Sequence, residues 1–105
     1  MRYRQHCPVA SGAEVIGQSW TVLVVRELLH GSTTASQIAL GVPEMSPALL
    51  TKRLKQLVEA GVVVRSATGG RTRFDLTPAG RELALVLERL GQWSRRWLPR
   101  PGVPI

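Results

Sequence analysis

The sequence predicts a mainly α-helical domain with one small β-hairpin, and three patterns predict it. The pairs Ser46-Pro47 and Thr77-Pro78 each place a capping side chain before a proline at a first helical position. Gly69-Gly70 lies between two short stretches with strand propensity. After residue 78, apolar side chains recur every three or four positions, which is a helical period. We expect one domain over residues 1–98 and a flexible, proline-rich tail over residues 99–105.

Two helices are predicted in the first third of the chain. Pro8 fits the first turn of a short helix that ends near Gly17. Ser19 offers a side-chain cap for a second helix over residues 20–30. Apolar side chains cover most of the circumference of this second helix. We therefore expect it to be largely buried.

A short helix and a capped helix come next. Residues 35–40 can form about two turns before Gly41-Val42-Pro43 interrupts them. Ser46 then caps a helix that ends near Gly61 and keeps Leu50, Leu54 and Leu57 on one face. Two helices joined by a short turn form a helix-turn-helix, and a hairpin after them forms a wing. The predicted architecture is therefore a winged helix-turn-helix.

The hairpin is predicted on either side of Gly69-Gly70. Arg71 and Arg73 alternate with Thr72 and Phe74, so both arginines project from one face of the second strand. Residues 65–68 are polar or small on both faces. Because of this, the pattern does not fix the register of the hairpin.

The last helix is predicted from Pro78 to about residue 98 and carries an apolar stripe with the spacing of a coiled-coil seam. A domain of this size has a limited core with which to cover so long a helix, so we favour a homodimer. Packing of the stripe on its own domain is the alternative. The predicted interface residues are Leu83, Val86, Leu90, Trp93 and Trp97.

Positive charge is concentrated in one part of the chain. The formal net charge is +7, and residues 46–73 hold six basic residues against the single acid Glu59, a net of +5. Such an excess of positive charge indicates a polyanionic partner, either nucleic acid or an anionic membrane surface. The order of the helices favours duplex DNA as that partner. A solvated helix face and a solubilised strand edge are the alternatives. The expected DNA-binding residues are Ser36, Gln37, Ser46, Ala48, Thr51, Lys52, Arg53, Lys55, Arg71 and Arg73, with Gly69 and Gly70 at the turn of the wing.

Several classes of protein are disfavoured. Apolar stretches fall far short of the roughly 18 residues of a membrane span, and the basic N-terminus has no apolar segment after it. We therefore expect a cytoplasmic protein at the nucleoid. One cysteine excludes an internal disulfide, and with two histidines it does not suggest a metal cage. The seven acids show no catalytic spacing, so we expect no enzyme and no cofactor.

Across residues 6–97 the chain resembles the HxlR family of winged helix-turn-helix regulators, which is related to the MarR group. Order and spacing together carry the resemblance, because each motif alone is weak. The matching motifs are Cys7-Pro8-Val9, Ile16-Gly17, Trp20-Thr21, Leu23, Arg26-Glu27-Leu28-Leu29, Gly31, Met45-Ser46-Pro47, Leu50, Arg53-Leu54, Leu57, Glu59-Ala60-Gly61-Val62-Val63, Arg73-Phe74-Asp75-Leu76-Thr77-Pro78-Ala79-Gly80 and the stretch from Trp93 to Trp97.

The resemblance implies a homodimer built from the first and last helices, and a recognition helix over residues 46–59. It also implies that Thr51, Lys52 and Arg53 lie close to DNA and that Gly69-Gly70 is the wing tip. There are two departures from the family pattern. Residues 33–38 lack the arginine and phenylalanine usual before the short helix, and Ala48 stands where the family often has arginine. Both departures remove potential DNA contacts, which bears on the operator sequence and the affinity.

Cys7 precedes a predicted helix start and follows Arg2, Arg4 and His6. A helix N-terminus and cationic neighbours both stabilise the reactive thiolate. Some members of the family use a cysteine at this place to sense oxidants, aldehydes or other electrophiles. A small buried residue without chemistry is the alternative.

The predicted function is therefore sequence-specific binding of double-stranded DNA by a homodimeric transcriptional regulator on a near-palindromic operator. A small-molecule or electrophile effector acting through Cys7 is the regulatory hypothesis. The alternative function is a winged-helix module that docks an acidic protein partner without specific DNA readout.

Overall fold

The structure is a computed structural model that describes residues 7–99. Within this range the predicted order of elements is confirmed, and the fold is a winged helix-turn-helix. Arg2, Arg4 and His6, and the predicted tail beyond Pro99, lie outside the described residues. The elements are α1 (Pro8–Ile16), α2 (Thr21–Leu29), α3 (Ala35–Gly41), α4 (Pro47–Glu59), β1 (Val63–Thr68), β2 (Arg71–Leu76) and α5 (Pro78–Trp97).

Side-chain caps begin three of the helices. The Ser46 hydroxyl oxygen accepts a hydrogen bond from the Leu49 amide at 3.2 Å, and the Thr77 hydroxyl oxygen accepts one from Gly80 at 3.1 Å. Both predicted caps are thus confirmed. Thr34 does the same at α3, where it accepts from the Gln37 amide at 3.2 Å. Each cap satisfies a backbone donor that the first helical turn leaves free.

The predicted Ser19 cap of α2 is wrong. The N-cap position is Trp20, which makes no side-chain capping bond and has a φ of 72°. Ser19 is not available for this role because its hydroxyl and its carbonyl both accept hydrogen bonds from Arg53. The start of α2 is therefore set by a tertiary contact and not by a local cap.

The core lies between α2, α3, α4 and the base of the hairpin. As predicted, α2 is central: Val24 and Val25 have no exposed surface. Leucines of the predicted inner face of α4 pack beside them. The buried apolar residues are Val24, Val25, Leu28, Ile38, Val42, Met45, Leu50, Leu54, Leu57, Val62, Val63, Phe74 and Leu76.

The hairpin is antiparallel and is attached to the core at its base. Its register pairs Val63 with Leu76 and Arg65 with Phe74. The Phe74 amide also donates a 2.7 Å hydrogen bond to the Thr33 carbonyl, in the segment before α3. This bond satisfies an edge group of β2 and joins the wing to the helix-turn-helix.

Helix α5 carries more apolar surface than its own domain covers. Leu83 is partly buried against the core and lies at the edge of the intramolecular contact; its place in an intersubunit seam stays a prediction. Further along, Val86, Leu90, Trp93 and Trp97 are 45–65% exposed. We call these four residues the exposed stripe. At about 100° per residue they occupy roughly 60° of the helix surface, adjacent to the inward-facing Leu83.

Candidate nucleic-acid interface

The outer face of α4 presents polar and cationic side chains to solvent. Ala48, Thr51, Lys52 and Lys55 are all exposed, and their spacing places them within about 100° of one side of the helix. Ser46, at the N-cap, is exposed as well, although its oxygen is engaged in the capping bond. This face can enter a major groove, which is wide enough to admit an α-helix.

Arg53 does not belong to that face, and this corrects the sequence-based site. Only 7% of the residue is exposed. Its Nε donates to the Ser19 carbonyl at 2.9 Å, its Nη2 to the Ser19 hydroxyl at 3.2 Å, and its Nη1 to the Gln56 side-chain oxygen at 3.0 Å. Position 53 lies about 100° further around the helix than Lys52, toward the core. The guanidinium is therefore turned into the protein.

The first turn of α3 lies beside this face. Ser36 and Gln37 are exposed, as a groove contact requires. The side-chain oxygen of Gln37 already accepts a hydrogen bond from the Thr33 amide at 2.8 Å. The backbone amide of Gln37 in turn donates to the Thr34 hydroxyl, so both bonds satisfy groups at the start of α3. In the described hydrogen bonds, only the amide nitrogen of Gln37 is left for an external acceptor.

The wing carries its two predicted arginines on one face. The register places Arg71 and Arg73 on the side opposite Phe74 and Leu76, which point into the core. Gly69 and Gly70 form the turn with φ values of 58° and 79°, a region that glycine adopts without steric cost. The predicted position of the wing turn is thus confirmed.

The two wing arginines are in different electrostatic states. Arg73 donates to Asp75 at 2.8 Å, and this hydrogen bond is the main cause that lowers the pKa of Asp75 and raises that of Arg73. The Arg73 side chain remains 60% exposed. Arg71 has no ion-pair partner among residues 7–99. The charge of Arg71 is therefore fully available to an external anion, whereas Asp75 partly neutralises the charge of Arg73.

Two crevices, which share no lining residue, lie between these elements. Both involve the first turn of α3, which lies between α4 and the hairpin. One crevice, of about 270 Å³, is lined by Ala35, Thr51, Leu54, Lys55, Val58, Arg65 and Phe74. The other, of about 260 Å³, is lined by Thr33, Thr34, Gln37, Thr68, Arg71, Thr72 and Arg73. Four exposed cations of α4 and the hairpin have no ion pair among residues 7–99, and we call them together the basic face: Lys52, Lys55, Arg65 and Arg71. The register places Arg65 and Arg71 on opposite sides of the hairpin.

Arg65 was missed as a site residue. It is exposed, and the register places it beside Phe74 on the side of the hairpin that faces α4, next to Thr51 and Lys55. Its charge was evident in the sequence, but its side of the strand depended on the unfixed register. Among residues 7–99 the ion pairs are Arg26–Glu27 and Arg73–Asp75, so the basic face keeps its charge uncompensated.

Two other features, a metal-binding cluster and a membrane-spanning helix, are absent from the described part of the chain. No group of three or more histidine, cysteine or acidic residues within it could hold a metal ion. None of the helices in residues 7–99 has both the length and the apolar content of a membrane span. Cys7 is exposed at the N-cap of α1, so the alternative of a buried structural cysteine is wrong.

Comparison with known proteins assigns the family. The sequence profile described as HxlR-like helix-turn-helix matches residues 15–101. The chain belongs to the HxlR family. This HxlR-family chain is 32% identical over 102 residues to a protein of Bacillus subtilis (strain 168) named "Uncharacterized HTH-type transcriptional regulator YvaP", covering 93% of this chain and 94% of that protein. It is 39% identical to the "Uncharacterized HTH-type transcriptional regulator Mb3122" of Mycobacterium bovis, covering 92% of this chain but only 63% of that longer protein.

Solved structures agree with this assignment. The crystal structure of PA1607 superposes with a TM-score of 0.85 at 31% identity, covering 97% of this chain and 72% of that one. The reduced form of the transcriptional regulator YodB from B. subtilis superposes with a TM-score of 0.77 at 25% identity, covering 94% and 100%. The chain is thus a member of a family of helix-turn-helix transcriptional regulators and not of an enzyme family.

Proposed function

We propose that this HxlR-family chain is a homodimeric regulator that binds double-stranded DNA sequence-specifically at a near-palindromic operator. The observation that carries the proposal is the basic face: four exposed cations without acidic partners among residues 7–99, on the recognition helix and the wing. In this proposal the outer face of α4 reads base edges, and Arg71 holds the flanking backbone or minor groove.

The charges of the basic face predict a measurable salt dependence. Three or four phosphate contacts per subunit release six to eight counterions from a dimer, so log affinity should fall with log salt at a slope of roughly −5 to −7. Binding to duplexes selected from a random pool, measured at several salt concentrations, tests this. A flat response would contradict the proposal.

Charge-matched variants make the test specific to the surface. Arg71→Gln should weaken the slope by about 2 per dimer, because each subunit loses one phosphate contact. Arg95→Gln changes the net charge equally, but Arg95 lies on α5 beside α2, on the side of the helix away from the exposed stripe. The Arg95 variant should leave the slope unchanged. Equal effects of the two variants would assign the slope to net charge and not to the basic face.

The exposed stripe supports the homodimer. Four large apolar side chains, two of them tryptophans, are 45–65% exposed in a row along the C-terminal part of α5. A contiguous exposed apolar surface of this kind marks an interaction site, and an equivalent helix of a second copy offers the same spacing. Two recognition helices related by a two-fold axis would then read half-sites about 10 base pairs apart.

Cys7 supports a regulatory part of the proposal. Its thiol is exposed at the N-terminus of α1, where oxidants and electrophiles can reach it. One crystal structure of the relative YodB is of the quinone-bound protein. With peroxide, the thiolate would take one oxygen atom to form a sulfenic acid and release hydroxide. With an electrophile, its sulfur would form a bond to carbon and the addition would take up a proton from solvent.

A protein-docking module remains the competing function, since the same basic face would fit an acidic partner. The two functions differ in sequence preference. A docking module should bind the selected duplex and a scrambled duplex of the same length equally and weakly. A DNA-binding regulator should prefer the selected duplex by a factor of 10³ or more, as is typical of specific DNA-binding proteins.

A further inference from the structure

Arg53 joins the recognition helix to the turn between α1 and α2. The turn comprises residues 17–20, and the guanidinium binds both the carbonyl and the hydroxyl of Ser19, at 2.9 Å and 3.2 Å. A third bond to Gln56, one turn further along α4, fixes the remaining nitrogen at 3.0 Å. Among residues 7–99 no carboxylate pairs with this buried cation. Its charge is stabilised only by hydrogen bonds to neutral oxygen atoms, so these oxygens must stay at hydrogen-bonding distance.

The turn itself is held in an unfavourable conformation. Trp20 has a φ of 72°, a value that bulky residues rarely adopt, and it is the only non-glycine residue with positive φ within residues 7–99. Such a conformation persists where its surroundings impose it. Thr21, which follows, is 2% exposed, and Ser19, which precedes, is held by Arg53. Residues held by tertiary contacts therefore lie on both sides of Trp20.

From these two observations we infer that Arg53 is a specificity-determining positioning residue: it sets the rotation of the recognition helix against the α1–α2 turn without touching DNA. The inference rests on the proposed DNA-binding function. Leu50, Leu54 and Leu57 hold α4 on its inner side, and the arginine holds its flank. Together they oppose rotation of α4 about its own axis.

A small rotation has a large effect on base readout. Side-chain ends lie about 5–6 Å from a helix axis, so a rotation of about 10° moves them by about 1 Å. Hydrogen bonds to base edges require donor–acceptor distances within a few tenths of an ångström. Phosphate contacts from long, flexible cations tolerate such a shift. Loss of the Arg53 contacts should therefore lower specific binding while leaving non-specific binding intact.

Arginine is needed here because of its shape as well as its charge. A guanidinium presents donors in a planar fork, which spans Ser19 and Gln56 at once. A lysine ammonium keeps the charge but cannot reproduce this bridge. The Arg53→Lys variant therefore separates the two roles: a direct phosphate contact would survive it, and the positioning role would not.

The experiment compares Arg53→Lys, Arg53→Gln and Lys52→Gln on the duplex that the wild-type chain selects and on its scrambled counterpart. We expect both Arg53 variants to lose about tenfold in the ratio of selected to scrambled affinity, with the salt slope unchanged. Lys52→Gln, the neighbouring exposed cation, should instead weaken both duplexes and reduce the slope by about 2 per dimer. An Arg53→Gln slope that falls like that of Lys52→Gln, or an unchanged affinity ratio, would overturn the inference.

Two further measurements keep the inference testable if the Arg53 variants do not fold or the wild-type chain selects no DNA. Ser19→Ala and Gln56→Ala each remove one acceptor of the network at a position that is not fully buried. Each should lower the ratio of selected to scrambled affinity by a factor of about 3. If neither variant changed this ratio, the inference would be contradicted. Hydrogen exchange needs no DNA: Ser19→Ala should speed exchange in residues 18–21 and in α4, and Lys52→Gln should not. Absence of selection by the wild type would refute the proposed function, while unchanged exchange would refute the role of Arg53.

Discussion

Replacing Gly80 with alanine should destabilise the domain, although alanine is a better helix former than glycine. Gly80 is buried in the first turn of α5, and a Cβ atom there would overlap the Val62 carbonyl oxygen. It would also lie 2.9 Å from Leu76 Cδ2 and 3.2 Å from the Val62 carbonyl carbon. The overlapping atom belongs to the backbone and cannot rotate away.

The Val62 carbonyl is also fixed by the cap of the same helix. It accepts from the Thr77 amide at 3.0 Å, and the Thr77 hydroxyl, which donates to the neighbouring Gly61 carbonyl at 2.6 Å, lies 3.1 Å from it. Moving it would cost about 1–3 kcal/mol in overpacking and about 1 kcal/mol in weakened hydrogen bonds. The higher helix propensity of alanine offsets about 0.5–1 kcal/mol of this cost. The expected net loss in free energy of unfolding is about 1–3.5 kcal/mol, or about 5–25 °C in Tm.

Gly91→Ala, in the same helix, is the matched control. Its Cβ would meet only Arg95 Nη1, at 3.6 Å, which is an ordinary contact with the end of a flexible side chain. This variant should raise the free energy of unfolding by about 0.5–1 kcal/mol. Thermal and urea unfolding at one fixed protein concentration measure both variants. If Gly80→Ala stabilised the domain as Gly91→Ala does, the close approach between α5 and the base of the wing would be refuted.

Three further predictions concern the wing, the dimer and the thiol. The pKa of Asp75 is lowered mainly by the hydrogen bond from Arg73, so this pair contributes stability above the ordinary pKa of aspartate and loses it as the pH falls through the lowered value. Urea unfolding of Asp75→Asn should therefore differ slightly from wild type at about pH 7, and the difference should shrink as the pH falls below the ordinary pKa of aspartate. Trp93→Glu should give a folded monomer in light scattering. Leu85 is 65% exposed on another side of α5, so Leu85→Glu should remain dimeric. If both variants were dimers, the proposed interface would be contradicted. Cys7→Ser should bind DNA normally but resist release by peroxide or aldehyde, and release equal to that of wild type would exclude thiol sensing.

Local patterns were sufficient to predict the elements. Ser46 and Thr77 cap the helices that they precede in the sequence, because an N-cap bond joins residues only three positions apart. Gly69 and Gly70 turn the hairpin because their backbones tolerate positive φ. The order of these elements, together with the concentration of charge in residues 46–73, was enough to predict the fold class and the face of α4.

Long-range contacts decided the rest. The Ser19 cap was wrong and Arg53 does not face solvent as its predicted contact with DNA requires, both for one reason: the two residues, 34 positions apart, bind each other. Arg65 was missed because only the register with Phe74 assigns it a side of the strand.

The sequence by itself determined where α4, α5 and the hairpin turn begin and where the charge lies, since each of these depends on neighbours within a few residues; the start of α2 did not follow from its neighbours. The tertiary structure alone decided which cations face solvent and which apolar residues stay uncovered. The physical reason is that a long side chain at the flank of a helix can reach either solvent or a buried acceptor, and only the position of that acceptor in space selects between them.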